Sequence, residues 1–141
     1  MKDFFIDTNI VIDFLVEDRE HSDYAGSLFN LADKGKINLY ISALTYSHVY
    51  YVLRKHFTHK KLLNAMQEVE EMTTTLDVTR DIISKAMLAD FKDYEDAIQY
   101  QTALSNRKIN AIVTHNGKDF KNSDLAVLTA LEALSVVEMG D

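Results

Sequence analysis

Phe4-Phe5-Ile6-Asp7-Thr8-Asn9 is the stretch on which the fold turns. Three bulky apolar residues run without alternation into an acid and then two small polar residues. A strand covered by helices on both faces has this continuous apolar character. The polar residues after it mark its carboxyl end, the edge where open α/β sheets collect ligands and catalytic groups. Asp7 is therefore the first candidate for chemistry.

Downstream, the apolar period lengthens. Ile10, Val11, Phe14 and Leu15 fit a short helix facing the sheet. A helix over about 21 to 34 carries Tyr24, Leu28, Leu31 and Ala32 on one stripe, with Gly35 placed as its left-handed cap. Ile37 to Ile41 reads as a second strand. Ser42 can cap the next helix, on which Leu44, His48, Tyr51 and Val52 share the expected inner face. A helix over about 59 to 71 turns Leu62, Met66 and Val69 inward. Thr73 to Val78 reads as a short strand whose threonines suit a sheet edge. Thr79 caps a helix to about Leu88, packing Ile82, Ile83, Ala86 and Met87. Asp93 opens a helix to about Asn106. Ala111 to Thr114 is the next strand, followed by polar His115, Asn116 and Gly117. Ala126 to Leu128 is the last, and Thr129-Ala130-Leu131-Glu132 has the capping-box spacing that starts a terminal helix. Strands alternating with helices imply a mostly parallel sheet of four to five strands between helical layers.

The 141 residues suit one domain. Hydrophobic residues make up 47% and charged residues 26%, the balance of an ordinary globular protein. No apolar run approaches the ~20 residues that span a bilayer, and the N-terminus does not resemble a signal peptide. The absence of cysteine excludes disulfides and thiolate metal sites and suits a cytoplasmic location. The net charge of −7 argues against nucleic-acid binding through overall charge. It leaves room for an acidic metal site with local basic patches elsewhere.

Three carboxylates stand where this topology can bring them together: Asp7 after the first strand, Asp96 in the first turn of the helix from Asp93, and Asp119 after the strand ending at Thr114. Each has a structural alternative. Asp7 can cap the first helix, Asp93 and Asp96 can complement a helix dipole, and Asp119 can serve as a turn residue. As a set, such acids at one sheet edge would repel one another and resist ionisation. A hard divalent cation, Mg²⁺ or Mn²⁺, is the usual compensation, and it suits phosphoryl chemistry.

Asp7-Thr8-Asn9-Ile10, Asp93 to Tyr100 and Ile112 to Phe120 resemble, in order and spacing, the successive motifs of PIN domains, a family that includes the toxin ribonucleases of VapBC-type toxin–antitoxin pairs. The resemblance covers essentially all of residues 1–141. It implies a three-layer α/β/α sandwich and a Mg²⁺- or Mn²⁺-dependent endoribonuclease. Asp7, Asp96 and Asp119 match the family's metal ligands. Asn9 belongs to the first motif, and Thr114 and Asn116 match a pair that shapes the site. Asp93, one turn before Asp96, is either an outer acid or simply the N-cap of its helix. An RNA substrate, an antitoxin partner and a homodimer are implied by the same resemblance.

One position departs from the pattern. Where the family usually has glutamate in the helix after the second strand, Ile41-Ser42-Ala43-Leu44-Thr45-Tyr46-Ser47 leads to His48. Three roles stand open for it: ligand to a softer ion such as Mn²⁺, phosphate contact, or a satisfied buried residue on the Leu44/Tyr51/Val52 face. If the lost acid matters, the protein is a PIN-like module that binds RNA or protein without turnover. Arg54, Lys55, Lys60 and Lys61, with His56, Phe57 and His59 among them, form either an RNA track or a solvated helix end. An aspartyl-phosphate enzyme, which would look like Asp-x-Asp-x-Thr, is disfavoured because Asn9 and Val11 stand at its third and fifth positions.

Overall fold

The computed structural model describes residues 2–140. Five strands, β1 (Lys2–Ile6), β2 (Ile37–Ser42), β3 (Thr74–Leu76), β4 (Ala111–Val113) and β5 (Ala126–Leu128), form one sheet in the order β3-β2-β1-β4-β5. Every pairing is parallel. Helices α1 (Thr8–Leu15), α2 (Ser22–Asp33), α3 (Ala43–Leu53) and α4 (His59–Met72) follow the first two strands. Then come α5 (Arg80–Leu88), α6 (Tyr94–Leu104), a single 3₁₀ turn at Gly117–Phe120, and α7 (Ala130–Gly140).

The alternation of β1 sorts the helices into layers. Phe4 and Ile6 share one core with buried residues of α1, α2, α3, α4 and α7. Phe5, one residue out of phase, joins Tyr40, Ile112, Phe120 and the Tyr100/Ala103 side of α6 on the opposite face. All three are fully buried, and each such side chain stabilises the fold by roughly 1.5–3 kcal/mol. The result is the expected α/β/α sandwich. β3 lies at the edge, as its threonines suggested.

Local signals behave as read at most boundaries. Asp7, Ser42, Thr79 and Asp93 each cap a helix by accepting a backbone N–H, and Thr58, not singled out from sequence, does the same for α4. Thr129 and Glu132 form the reciprocal capping box, at 2.9 and 3.1 Å. Gly35 has φ 74°, and Lys36 N–H reaches Leu31 C=O at 2.9 Å, closing α2 in a left-handed cap.

Three helix faces differ from expectation. In α3 the inner residues are Thr45, Val49 and Leu53, while Leu44, His48, Tyr51 and Val52 face outward. The Thr45 hydroxyl meets that of Thr8 at 3.2 Å, which turns this stripe toward α1. In α2, Ala25, Leu28 and Phe29 are buried and Tyr24 is exposed, because Phe29 stacks on Phe14 of α1 with ring centroids 4.1 Å apart. In α5, Met87 is exposed while Ile82 and Ala86 pack inward.

β1 lies between β2 and β4; the chain passes from β1 to β2 through α1 and α2 on one face and reaches β4 from β3 through α6 on the other. This reversal opens a crevice at the carboxyl ends of β1 and β4, the topological switch point.

Candidate functional site

Asp7 sits at that crevice, one residue beyond β1. Its N–H continues the ladder to Val113 C=O of β4 at 3.1 Å. Its side chain is buried and accepts the Ile10 N–H at 3.3 Å, while its other oxygen accepts the Thr114 hydroxyl. Burial pushes the Asp7 carboxyl above its ordinary range. The Thr114 hydroxyl, the N–H groups of Ile10 and Asn9 and the field of His115 pull the other way.

Thr114 is itself buried, anchored by its N–H to Leu128 C=O at 2.9 Å. Its hydroxyl oxygen also accepts the Asn116 N–H at 3.0 Å, so one side chain ties Asp7 to the turn after β4. That turn enters the 3₁₀ segment carrying Asp119. Asp119 is exposed, and the next residue, Phe120, is sunk into the second core against Phe91. This short segment was not anticipated; it is the device that presents Asp119 outward from a buried anchor.

Asp96 occupies the first turn of α6, where Asp93 caps the helix by accepting its N–H at 3.1 Å. The cap role of Asp93 is therefore realised. α6 is held against α1 by Gln99, which donates to the Thr8 hydroxyl at 3.4 Å. The Asp96 carboxyl is pushed up to about 7, first by burial and then by Asp93, Asp119, Asp7 and Glu95. Asp96 thus feels the charges of both other acids singled out from sequence, Asp7 lying 89 residues before it and Asp119 lying 23 after it.

Asp93, Asp96 and Asp119 line an open cleft of about 600 Å³, together with Lys92, Lys118 and Lys121. These lysines were not singled out beforehand, although two of them bracket Asp119 in sequence. Arg54, Lys55, Lys60 and Lys61 are exposed where α3 passes into α4 and do not line this cleft. Arg54 instead lies over the Tyr51 ring, 4.3 Å from its centroid. His48 is not buried: its side chain is 43% exposed, with Nδ1 3.7 Å from a Glu95 carboxylate oxygen.

Among the described residues, no three acidic or histidine side chains meet as a ready-made metal cage. The donor chemistry still fits a hard divalent ion, since the crowded groups are all carboxylates. Their repulsion opposes closing the set without a cation.

Fold and cleft together define a class: a small parallel α/β protein with carboxylates gathered at its switch point. Residues 3–118 match the PIN domain family, and the chain belongs to it. It is 29% identical over 133 residues to ribonuclease VapC1 of Aquifex aeolicus (strain VF5), covering 91% of this chain and 90% of that protein. VapBC2 from Rickettsia felis, bound to a DNA fragment from its promoter, superposes with a TM-score of 0.68 at 15% identity, over 90% of this chain and 98% of that one. A toxin–antitoxin complex from Klebsiella pneumoniae gives 0.63 at 23%, over 89% and 96%. At these identities the structures establish a shared fold. No helix among the described residues is long and apolar enough to cross a membrane.

Proposed function

We propose that this PIN-domain protein is a divalent-metal-dependent endoribonuclease, the toxin of a toxin–antitoxin pair, using Mg²⁺ or Mn²⁺ held by Asp7, Asp96 and Asp119. The observation that carries the reading is the crowding at Asp96, whose carboxyl is raised to about 7 by burial and by Asp93, Asp119, Asp7 and Glu95. Acids forced together at a sheet's switch point disfavour the empty ionised state, and a cation relieves that. A bound divalent ion supplies Lewis acidity for phosphodiester hydrolysis. Around it, Thr114 orients Asp7 and Asp93 fixes the first turn of α6. Lys92, Lys118 and Lys121 supply positive charge where a phosphate enters.

His48 fits the same reading. Glu95 faces it across 3.7 Å, so a carboxylate from α6 stands at the corner where the family's usual glutamate would come from α3. The relation to ribonuclease VapC1 supports RNA as substrate, and the likeness to the Klebsiella pneumoniae complex supports an antitoxin partner. A homodimer acting in the cytoplasm completes the proposal.

The test is cleavage of a mixed RNA panel by purified protein with Mg²⁺, Mn²⁺ or chelator. Wild type is expected to cleave with metal, and Asp7→Asn to lose at least about a hundredfold in rate while remaining folded at the assay temperature by circular dichroism. Equal cleavage by Asp7→Asn would refute the assignment of the centre.

A further inference from the structure

A second built group of polar side chains includes Asn116, the residue that leads into the segment bearing Asp119. Asp13 of α1 is 1% exposed, an unusual place for a carboxylate. One of its oxygens accepts Arg19 Nε at 2.6 Å and the other accepts His115 Nε2. A carboxylate oxygen only accepts, so Nε2 carries the proton in this contact. The His21 ring stacks on His115 with centroids 4.0 Å apart. Asn9 and Asn116 complete the rim of a depression of about 280 Å³.

Both Asp13 oxygens are occupied, so the exposed face of the group consists mainly of donors and imidazole surface. Arg19 is 42% exposed and spends only Nε on Asp13, leaving its other guanidinium donors without a partner among the described residues. The free donors of the Arg19 guanidinium and a His21 ring N–H match the tetrahedral oxygens of a phosphodiester, with His115, its Nε2–H spent on Asp13, holding the His21 ring by stacking. Asn9 follows Asp7 and Thr8, and Asn116 immediately precedes the segment bearing Asp119, so the depression adjoins the proposed centre. Two and three residues after Asn116, Lys118 and Asp119 line the lysine-rimmed cleft.

We infer that Arg19, His21 and His115 form a phosphate-binding subsite that holds the RNA backbone at a phosphodiester neighbouring the scissile one. The inference rests on the nuclease reading for its substrate but on separate residues for its binding. Asp13 is the buried clamp that aims Arg19 and His115. Glu20, at the rim and 3.8 Å from His21, is an exposed carboxylate that opposes an anion there, whereas Asp13 has both oxygens engaged by Arg19 and His115.

The experiment is fluorescence-anisotropy binding of a short 2′-O-methyl RNA, which resists cleavage, by full-length wild type, Arg19→Gln, Glu20→Gln and Lys85→Gln over a range of salt. Lys85 pairs with Asp81 on α5 and controls for loss of one positive charge away from the subsite. Arg19→Gln is expected to weaken binding about fivefold and to lower the salt slope by about 0.7, the value for one single-strand phosphate contact. Glu20→Gln is expected to tighten binding, and Lys85→Gln to match wild type. In parallel, inorganic phosphate is titrated while the histidine ring signals are followed by NMR; the His21 and His115 signals are expected to move in wild type and not in Arg19→Gln.

If wild type binds RNA and Arg19→Gln matches it in affinity and slope, the subsite is overturned while the nuclease reading stands. If wild type binds no RNA, the nuclease reading fails and the phosphate arm decides the site alone: movement abolished by Arg19→Gln supports it, and no movement overturns it.

Discussion

Replacing Asp96 by asparagine should make the metal-free protein more stable, an unusual result for a half-buried group at a functional centre. In the folded chain this carboxyl is raised from its ordinary 3.8 to about 7. Between those values the native state binds a proton that the unfolded chain has released. Stability therefore declines as pH rises through that window and levels off above about 7. At 1.36 kcal/mol per pH unit the full interval would correspond to about 4 kcal/mol, but the side chain is only half-buried and keeps much of its hydration. A penalty of about 1–2 kcal/mol on the ionised form is the appropriate magnitude. Asparagine has the same shape without the charge, and the Asp93 cap is untouched because it receives the backbone N–H of residue 96. Thermal unfolding in chelator should place Asp96→Asn about 3–8 °C above wild type at pH 8 and level with it at pH 4. Adding Mn²⁺ should reverse the order, since only wild type gains from the ion. If Asp96→Asn melts at or below wild type at pH 8 in chelator, the carboxylates do not crowd and the argument for a cation there falls.

Thr114→Val keeps the shape of a buried side chain but removes the donor to Asp7 and the acceptor for Asn116 N–H. Urea unfolding should show a loss of about 2–3 kcal/mol, larger at pH 8 than at pH 4 because the lost hydrogen bond favours ionised Asp7. Asp13→Asn leaves the Arg19 guanidinium without its counter-charge and takes a carboxylate acceptor from His115, and it should cost about 2–4 kcal/mol; an unchanged urea midpoint would mean the triad is only a surface pairing. His48→Glu places a second carboxylate opposite Glu95 and should tighten Mn²⁺ binding measured calorimetrically, whereas Glu95→Gln should weaken it; no change in either variant would remove Glu95 from the centre.

The parts of the molecule legible from sequence were those whose physics is local. The apolar runs of β1 and β4 can be satisfied only inside a covered parallel sheet, and the acids after them inherit their positions from that sheet's carboxyl edge. Asp7 and Asp119 were therefore visible as soon as the strands were. The facing of α3 was not. That helix carries apolar or aromatic residues almost all the way round, so Leu44/Tyr51/Val52 and Val49/Leu53 are competing stripes of similar strength. The choice rests on Thr45 meeting Thr8, a contact across 37 residues of chain. Rotating α3 to that contact also moves His48 from the expected core to an exposed corner.

The same distance hid Asp13, whose partner His115 lies 102 residues away. On a one-dimensional reading Asp13 is merely the polar residue of an apolar helix, and His115 a spacer between Thr114 and Asn116. In the fold they join the first helix to the turn that carries the site's last acid. Position 48 illustrates the converse. Read along the chain, histidine there subtracts a ligand from the centre. In three dimensions the subtraction occurs beside Glu95, a residue whose charge already bears on Asp96. The acidity of that corner is thus a property of two helices rather than of one position, and the paired variants His48→Glu and Glu95→Gln measure what each helix contributes to it.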